Sequence, residues 1–305
     1  MTAHVSTGSK VHPIRFHSTQ HQEAFDRLGY LRVPFLDDAA LAELRDLWQE
    51  VGPTSVDGIW SNIHDLEPDV NRRIDETIRR LFARPAAQVF DQARLGGSSF
   101  LVKGTGPDSA STPHQDWNNV EEDRTLSVSI WVPLVDVDES NGALQVIPGS
   151  HRCRPSIRSL DTPSLYLDFT DELEPYLQAV PARAGDAVLY AHNLFHGSRP
   201  NHSERIRVSA VAGVTHEQSR LVHYRRVDDL GPDTFDVFEV ESDFYFSGIP
   251  DMTAGRIPPT ARPAGRVEVP DHELRLADVV AAAVASGAVA SGAGVDGTAT
   301  SEERS

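Results

Sequence analysis

The sequence is poor in cysteine, in basic residues and in long apolar runs, and each shortage excludes a class of protein. Cys153 is the only cysteine among 305 residues, so the chain cannot form an internal disulfide. Lys and Arg together number 28 against 45 Asp and Glu, which gives a formal net charge of −17. Such a charge repels phosphate backbones and anionic lipid, so we expect neither nucleic acid nor a membrane as partner.

The sequence also lacks the marks of secretion or membrane insertion. The first ten residues, MTAHVSTGSK, contain no apolar run like that of a signal peptide. The uncharged stretch VVAAAVASGAVASGAGV near the end consists mostly of Ala, Gly and Val, and it is too weakly apolar and too often broken by Gly for a membrane span. We therefore expect a cytoplasmic protein. The sequence does not indicate an oligomeric state.

A change of periodicity divides the chain into two kinds of structure. Between residues 18 and 97, apolar residues recur at helical spacing, as in DDAALAELRDLWQEVGP, which predicts a layer of helices. From 98 to 225, short β-rich runs such as SSFLVKG and TLSVSIWVPLVDV are separated by Gly, Pro, Asn and Asp. Helical patterns do not alternate with these runs. The sequence thus predicts a mainly β fold with N-terminal helices and a jelly-roll core, the double-stranded β-helix also found in cupins.

We predict a single domain over residues 18–258, preceded by a flexible N-terminus over 1–17. After 258 the composition turns to Pro, Arg, Ala and Gly, and it ends in the charged run SEERS. A segment of this composition buries little apolar surface by itself. We therefore expect residues 259–305 to form an extended, disordered tail with room for one short Ala-rich helix.

The stretch STPHQDWNN places His114 and Asp116 two residues apart. A His-x-Asp pair alone is weak evidence, because a chain with 13 histidines contains such pairs by chance. On a strand or at its end, however, residues two apart project to the same face, so both side chains can reach one metal ion. The alternative is a hydrogen-bonded pair at a strand edge.

A metal site needs a third ligand, and the segment GDAVLYAHNLFHGSRPN offers His192 and His196, which we place on one face of a strand. Two histidines and a carboxylate occupy one face of Fe(II) and leave positions open for a 2-oxo acid and O2. The distal carboxylate of the 2-oxo acid then needs a cation, and Arg205 and Arg207 follow in RIRVSAVAGV. Arg207 has the alternative of an ion pair with Glu204.

Three sequence blocks resemble those of one known family. They are HQD at 114–116, WVPLVDVDESNGALQVIPGSH at 131–151 and GDAVLYAHNLFHGSRPNHSERIRVS at 185–209. The chain is similar here to the phytanoyl-CoA dioxygenase family of Fe(II)/2-oxoglutarate oxygenases, and the likeness extends in outline over residues 20–225. In that family the distal His is followed eleven residues later by the Arg that holds 2-oxoglutarate. This spacing implies His196 and Arg207.

The resemblance implies a site of defined composition. Fe(II) is expected at His114, Asp116 and His196, with 2-oxoglutarate and O2 as cosubstrates. Besides Arg207, the resemblance implies further cosubstrate contacts from Lys103, Ser198 and Trp131. Residues that could border a small-molecule substrate are Trp117, Asn118, His192 and His223, for which ordinary loop polarity is an equal explanation.

The resemblance implies an enzyme that hydroxylates an unactivated C–H bond of a small molecule and releases succinate and CO2. The substrate class suggested is a natural product or an amino-acid-derived metabolite. Halogenases of the family have a small residue in place of the acid, whereas Asp116 is present here. Desaturation, cyclisation and epimerisation begin with the same hydrogen abstraction and stay open as alternatives. A non-catalytic, cupin-like metal- or ligand-binding protein is the second alternative.

Overall fold

The computed structural model of the protein describes most of the chain. The described residues are 13–289 without 154, 155, 161, 163, 228, 229, 231, 232, 243, 248 and 270–272. Most of the predicted flexible segment 1–17, and the predicted tail from 290 onward, therefore lie outside the described residues. The domain limits that the sequence suggested stay a prediction.

The N-terminal half of the chain holds the long helices, as predicted. The helices are α1 (Thr19–Leu28), α2 (Asp38–Val51), α3 (Asn62–Asp65), α4 (Pro68–Val89), α5 (Thr170–Leu173), α6 (Phe244–Ser247), α7 (Ile249–Thr253) and α8 (Leu276–Ala285). Ser18 caps α1, since its hydroxyl accepts a hydrogen bond from the backbone N–H of His21 at 3.2 Å. Gly29 ends the same helix with φ of 79°, a left-handed conformation that favours glycine. None of the described helices has the length and apolarity that a membrane span needs.

The described strands are all paired antiparallel. They are β1 (Arg15–Phe16), β2 (Tyr30–Pro34), β3 (Ile59–Ser61), β4 (Phe90–Asp91), β5 (Ala93–Lys103), β6 (Ser111–His114), β7 (Val128–Pro133), β8 (Gln145–Val146), β9 (Gln178–Ala179), β10 (Asp186–Ala191), β11 (His196–Ser198), β12 (Arg207–His216), β13 (Val222–Arg226), β14 (Thr234–Glu239) and β15 (Arg262–Glu268).

Two sheets form the jelly roll. The larger has six strands in the order β2-β10-β7-β12-β5-β3, and the smaller has four in the order β6-β11-β8-β9. Neighbouring strands in each sheet are distant in sequence, as expected when the chain crosses between two sheets. The predicted fold class, mainly β with N-terminal helices and a jelly-roll core, is confirmed.

The helices cover one face of the large sheet. Phe100 and Val102 of β5 belong to the same buried core cluster as Ile74 and Ile78 of α4. The two strand residues are two positions apart and the two helix residues are four apart, so each pair lies on one face of its element. Leu101 and Lys103, which alternate with them along β5, project from the opposite face. That opposite face, turned away from the helices, carries the polar side chains of the site.

After residue 258, where the sequence predicts an extended tail with room for one short Ala-rich helix, the structure has a strand, β15, and one Ala-rich helix, α8. β15 pairs with β14 to complete a third sheet of order β13-β14-β15, and α8 packs against the jelly roll. Val279 and Ala283 of α8 are fully buried with Ile147 and Leu173 in a second core cluster. Composition alone does not predict this packing, because small residues allow a helix to pack closely only where a partner surface exists.

Candidate metal centre

Two histidines face each other across the small sheet. His114 ends β6, His196 begins β11, and the two are paired directly in the antiparallel register, with ring centroids 4.2 Å apart. Gly197 allows this close pairing, since a Cβ there would lie 2.7 Å from the carbonyl oxygen of Ser111. Asp116 follows two residues after His114. One ligand atom from each of the three side chains lies within 4.8 Å of the others.

Backbone carbonyls set the tautomer of both rings. The Nδ1 atom of His114 lies 2.8 Å from the carbonyl oxygen of Thr112, and that of His196 lies 2.9 Å from the carbonyl oxygen of Leu194. A carbonyl oxygen only accepts, so each ring carries its proton on Nδ1. The Nε2 lone pairs are therefore available, which is the state that a metal-binding histidine requires.

The carboxylate of Asp116 completes the donor set. Its Oδ1 lies 3.6 Å from Nε2 of His196, and its Oδ2 accepts a hydrogen bond from the Ser129 hydroxyl at 3.2 Å. Burial acts to raise the pKa of this carboxyl, but His196, His192 and His114 together with Ser129 hold it below its usual range. Burial and the neighbouring His114 lower the pKa of His196 to about 4, despite the opposing effect of Asp116. Two imidazoles and one carboxylate are a donor set that fits a divalent iron ion.

A pair of cations is buried at the opposite end of the large sheet's polar face. Arg207, the first residue of β12, lies opposite Lys103, the last residue of β5, and both are almost completely buried. Nη1 of Arg207 donates to the carbonyl oxygen of Gly142 at 2.8 Å, and its guanidinium carbon lies 5.0 Å from the centroid of the Trp131 ring. Lys103 donates to the carbonyl of Ser109.

These cations have no acidic partner within the described part of the chain, so the alternative pairing of Arg207 with Glu204 is not observed. The Nε atom of Arg207 is buried without a hydrogen-bond acceptor. Burial, and then the charge of Arg207, lower the pKa of Lys103 to about 7. Buried charge is costly unless it is paired. The two cations therefore fit a bound carboxylate such as the distal one of 2-oxoglutarate.

Tyr190 lies between the histidines and the cations. It is paired with Ser129 in register, and its ring centroid is 4.5 Å from that of His196. Burial, and then the charge of Asp116, raise the pKa of Tyr190 well above its ordinary value, whereas Ser129 and Arg207 act to lower it. The phenol is therefore neutral and electrostatically coupled to both ends of the site. The metal ligands and the cations thus form one continuous polar face.

Ser129 and His192 are among the residues that line a cavity of about 170 Å³. His192 does not share a strand with His196, which corrects the prediction from sequence. β10 ends at Ala191, and a turn closed by a hydrogen bond from Leu194 N–H to the carbonyl of Ala191 precedes β11. The turn separates the two histidines along the chain, and the backbone carbonyl of His192 accepts a hydrogen bond from the N–H of Asp116 at 2.8 Å.

A sequence profile of the family described as phytanoyl-CoA dioxygenase (PhyH) matches residues 25–209, which is more than half of the chain. The chain belongs to the phytanoyl-CoA dioxygenase family. The resemblance inferred from the three sequence blocks is confirmed. The blocks contain His114, Asp116, His196 and Arg207.

Individual members of the family are distant in sequence. Phytanoyl-CoA dioxygenase 1 of Oryza sativa subsp. japonica is 26% identical over 172 residues, which cover 55% of this chain and 57% of the rice protein. Among solved structures, the epimerase SnoN in complex with Fe3+, alpha ketoglutarate and nogalamycin RO is 26% identical, with a TM-score of 0.47 over 65% of this chain and 83% of that one. HygX from Streptomyces hygroscopicus with nickel and 2-oxoglutarate is 20% identical, with a TM-score of 0.46 over 65% and 87%.

Two further residues named from the family resemblance lie near this face. Trp131 is 1% exposed and stacks under Arg207, so it shapes the cationic end. Ser198 is buried on β11, two residues after His196, with a shift of strand register between them. Their contact with a cosubstrate stays a prediction.

The candidate substrate residues are not all brought together. Trp117 is 39% exposed beside Asp116, and His192 lines the cavity. The side chain of Asn118 instead accepts a hydrogen bond from the backbone N–H of Arg158. His223 lies in the third sheet, where its ring packs 5.0 Å from Phe244. Substrate contact by any of these residues stays a prediction.

Arg158 is a residue of this site that the sequence analysis missed. Its Nε donates to the carbonyl oxygen of Asp116 at 2.7 Å, and its Nη2 forms a buried ion pair with Glu122 at 2.6 Å. The guanidinium thereby fixes the loop that carries the metal-binding carboxylate. No spacing signal identifies Arg158, because it reaches Asp116 from an irregular segment 42 residues away.

Proposed function

We propose that this member of the family is a non-haem Fe(II)/2-oxoglutarate-dependent oxygenase that hydroxylates an unactivated C–H bond of a small molecule. Succinate and CO2 are the coproducts. The observation that carries the proposal is the convergence of His114, Asp116 and His196 next to a buried, unpaired Arg207. Metal ligands alone would fit many metalloproteins, whereas an unpaired buried guanidinium on the same face adds the requirement for an anionic cosubstrate.

The three ligand side chains supply a prearranged site for iron. When bound, Fe(II) together with 2-oxoglutarate and O2 supplies the oxidising power for hydrogen abstraction. The carbonyls of Thr112 and Leu194 hold the rings of His114 and His196, so little reorganisation accompanies metal binding. Three ligands leave part of the coordination sphere open for cosubstrates.

The cations orient 2-oxoglutarate. Arg207 is expected to pair with its distal carboxylate, with Lys103 as a second positive charge and Trp131 as the apolar wall beside the guanidinium. Because the phenol of Tyr190 is neutral, it adds no negative charge that would repel the dianion. The enclosed face also excludes water from the reacting centre.

The reaction outcome is the finer part of the proposal. Hydroxylation is favoured over halogenation because Asp116 occupies the position at which a halide would need an open site. Desaturation, cyclisation and epimerisation are the alternatives within the same chemistry. A small-molecule substrate and a cytoplasmic location complete the proposal.

An anaerobic titration with Fe(II) and 2-oxoglutarate tests the proposal. The parent protein is expected to develop the weak visible charge-transfer band of an iron-chelated 2-oxo acid. His196→Ala should lose the band, whereas Arg207→Ala should need far more 2-oxoglutarate to reach it. Arg205→Ala is the matched control, because Arg205 is exposed and two residues from Arg207. A parent protein that binds neither metal nor 2-oxoglutarate would contradict the proposal, whereas binding without succinate formation from any candidate substrate would support the non-catalytic, cupin-like protein.

A further inference from the structure

We propose that Arg158 is a positioning residue of the candidate metal centre, whose guanidinium holds the main chain of Asp116 where its carboxylate binds Fe(II) together with the two histidines. Arg158 is not a metal ligand and acts only through Asp116. The inference rests on the proposed function, since it needs a metal ion at this site. It deepens that function by naming a residue on which metal affinity depends.

Asp116 lies outside regular secondary structure, whereas His114 and His196 lie on paired strands. β6 ends at His114, and residues 115–127 contain no helix or strand. A strand residue is held by a ladder of hydrogen bonds, whereas a loop residue is held by individual bonds. The N–H of Asp116 donates to the carbonyl oxygen of His192 at 2.8 Å. With that side of its backbone held, the orientation of Asp116 depends on what binds its carbonyl oxygen.

Arg158 binds that carbonyl oxygen and the chain beyond it. Its Nε donates to the carbonyl oxygen of Asp116 at 2.7 Å. Its backbone N–H donates to the side-chain oxygen of Asn118, and its backbone carbonyl accepts a hydrogen bond from the N–H of Asn118 at 3.0 Å. Both polar groups of the Asp116 backbone are thus bonded, and the chain is held again two residues further on.

The guanidinium of Arg158 is itself held in one orientation. Its Nη2 donates to Oε1 of Glu122 at 2.6 Å and its Nη1 to Oε2 at 3.1 Å, while Nη1 also donates to the carbonyl oxygen of Ser156 at 2.9 Å. The side chains of Arg158 and Glu122 are only 7% and 3% exposed. A planar guanidinium that binds a carboxylate through both terminal nitrogens leaves Nε in a fixed direction, which a lysine does not reproduce. The ion pair therefore directs Nε at Asp116.

The ion pair and the contact with Asp116 can be separated by substitution. Arg158→Met alone leaves the carboxylate of Glu122 buried without its partner, which is strongly destabilising. Arg158→Met combined with Glu122→Leu removes both charges, and replacing a buried ion pair by apolar residues is often neutral for stability. Both variants lack the donor to the carbonyl of Asp116. Their comparison thus distinguishes a residue that positions the ligand from one that only supports the fold.

Metal binding and stability are measured on the full chain. Mn(II) is added to the parent and to both variants, and the electron paramagnetic resonance signal of free Mn(II) gives the dissociation constant. Denaturation with urea gives the stability of the same samples. We expect both variants to bind Mn(II) at least about tenfold more weakly than the parent, the loss typical of residues that orient a ligand. The urea midpoint should fall in Arg158→Met and return towards the parent value in the double variant.

A second ion pair in the same loop provides the matched control. Nη2 of Arg220 lies 2.7 Å from Oε1 of Glu121, and neither side chain hydrogen-bonds to Asp116 in the described part of the chain. Arg220→Met combined with Glu121→Leu should leave Mn(II) affinity within about threefold of the parent, as expected for an ion pair that touches no metal ligand. His196→Ala, which lacks a ligand, measures the Mn(II) binding that does not involve this site.

The outcomes separate this inference from the proposed function. If the parent binds Mn(II) and the double variant binds it as tightly, the inference is wrong and the metal site stands. It is also overturned if affinity and stability stay lost together in the double variant, or if the control pair costs as much affinity, because the role is then structural. If the parent does not bind Mn(II), the proposed function fails first, and with it the inference.

Discussion

The two ends of the polar face differ in how completely their groups are paired. At the metal end, formed by His114, Asp116 and His196, every ring Nδ1 has a carbonyl partner and the carboxylate has a hydroxyl donor. At the cationic end, formed by Lys103 and Arg207, two cationic side chains are buried side by side, and no described residue supplies an acid to pair with them. The metal end is therefore prearranged, whereas the cationic end is destabilised until an anion arrives.

The largest expected effect comes from removing a metal ligand. His196→Ala should weaken Fe(II) binding by more than about a hundredfold, beyond the 10–100-fold loss typical of residues that only support a ligand. Isothermal titration with Fe(II) under argon measures it. His223→Ala is the matched control, because that buried histidine lies in the third sheet. Equal loss in both variants would show that the effect is structural.

Removing the guanidinium should affect the two ends differently. Arg207→Met should weaken 2-oxoglutarate binding by about thirtyfold or more, the scale of losing one partner of a buried charge pair, while Fe(II) affinity stays within about threefold. Chemical denaturation adds a second readout. Because the charge it removes is unpaired, the free protein should lose little stability. A large loss of stability would mean that Arg207 supports the fold rather than the cosubstrate.

Lys103 makes cosubstrate binding depend on pH. Its pKa in the free protein is about 7, so the side chain is mostly charged below that pH and mostly neutral above it. Affinity for the 2-oxoglutarate dianion should therefore fall as the pH rises through 7, by up to about tenfold. Lys103→Met should bind weakly at every pH with a flattened profile. A profile that is unchanged in the variant would assign the titration to another group.

The smallest expected effect comes from changing Tyr190, which lies between the metal end and the cationic end. Tyr190→Phe keeps the ring beside His196 but removes the hydroxyl near Ser129. We expect each of the two affinities, for Fe(II) and for 2-oxoglutarate, to fall about threefold to tenfold, the scale of one hydrogen bond. The same titrations measure it. A loss confined to one ligand would show that Tyr190 does not couple the two ends.

Part of the metal end could be expected from local geometry, and its role as a metal site stays a prediction. Residues two apart at the end of a strand share a face, and that rule alone is enough to bring His114 and Asp116 together. The spacing between His196 and Arg207 depended on the family resemblance, since nothing local connects the ends of β11 and β12. The break between His192 and His196 was missed, because a short turn inside an apolar run leaves no Gly or Pro signal.

Features that depend on distant packing could not be predicted. Arg158 reaches Asp116 across 42 residues, and its ion pair with Glu122 follows from the folded arrangement alone. The composition of the tail left room for a short Ala-rich helix such as α8, but it did not predict that this helix packs against the jelly roll, because Ala-rich segments bury little surface by themselves. It nevertheless packs closely, since Ala282 approaches Gly149 so nearly that a Cβ at Gly149 would lie 2.7 Å from its carbonyl oxygen.

The most direct test of the central claim is the position of one metal ion. Crystals grown anaerobically with Mn(II) and 2-oxoglutarate give anomalous difference density for manganese. The account predicts a single strong peak bound by Nε2 of His114, Nε2 of His196 and the carboxylate of Asp116, with the distal carboxylate of 2-oxoglutarate on Arg207. A peak elsewhere, or a 2-oxoglutarate that does not reach Arg207, would contradict it.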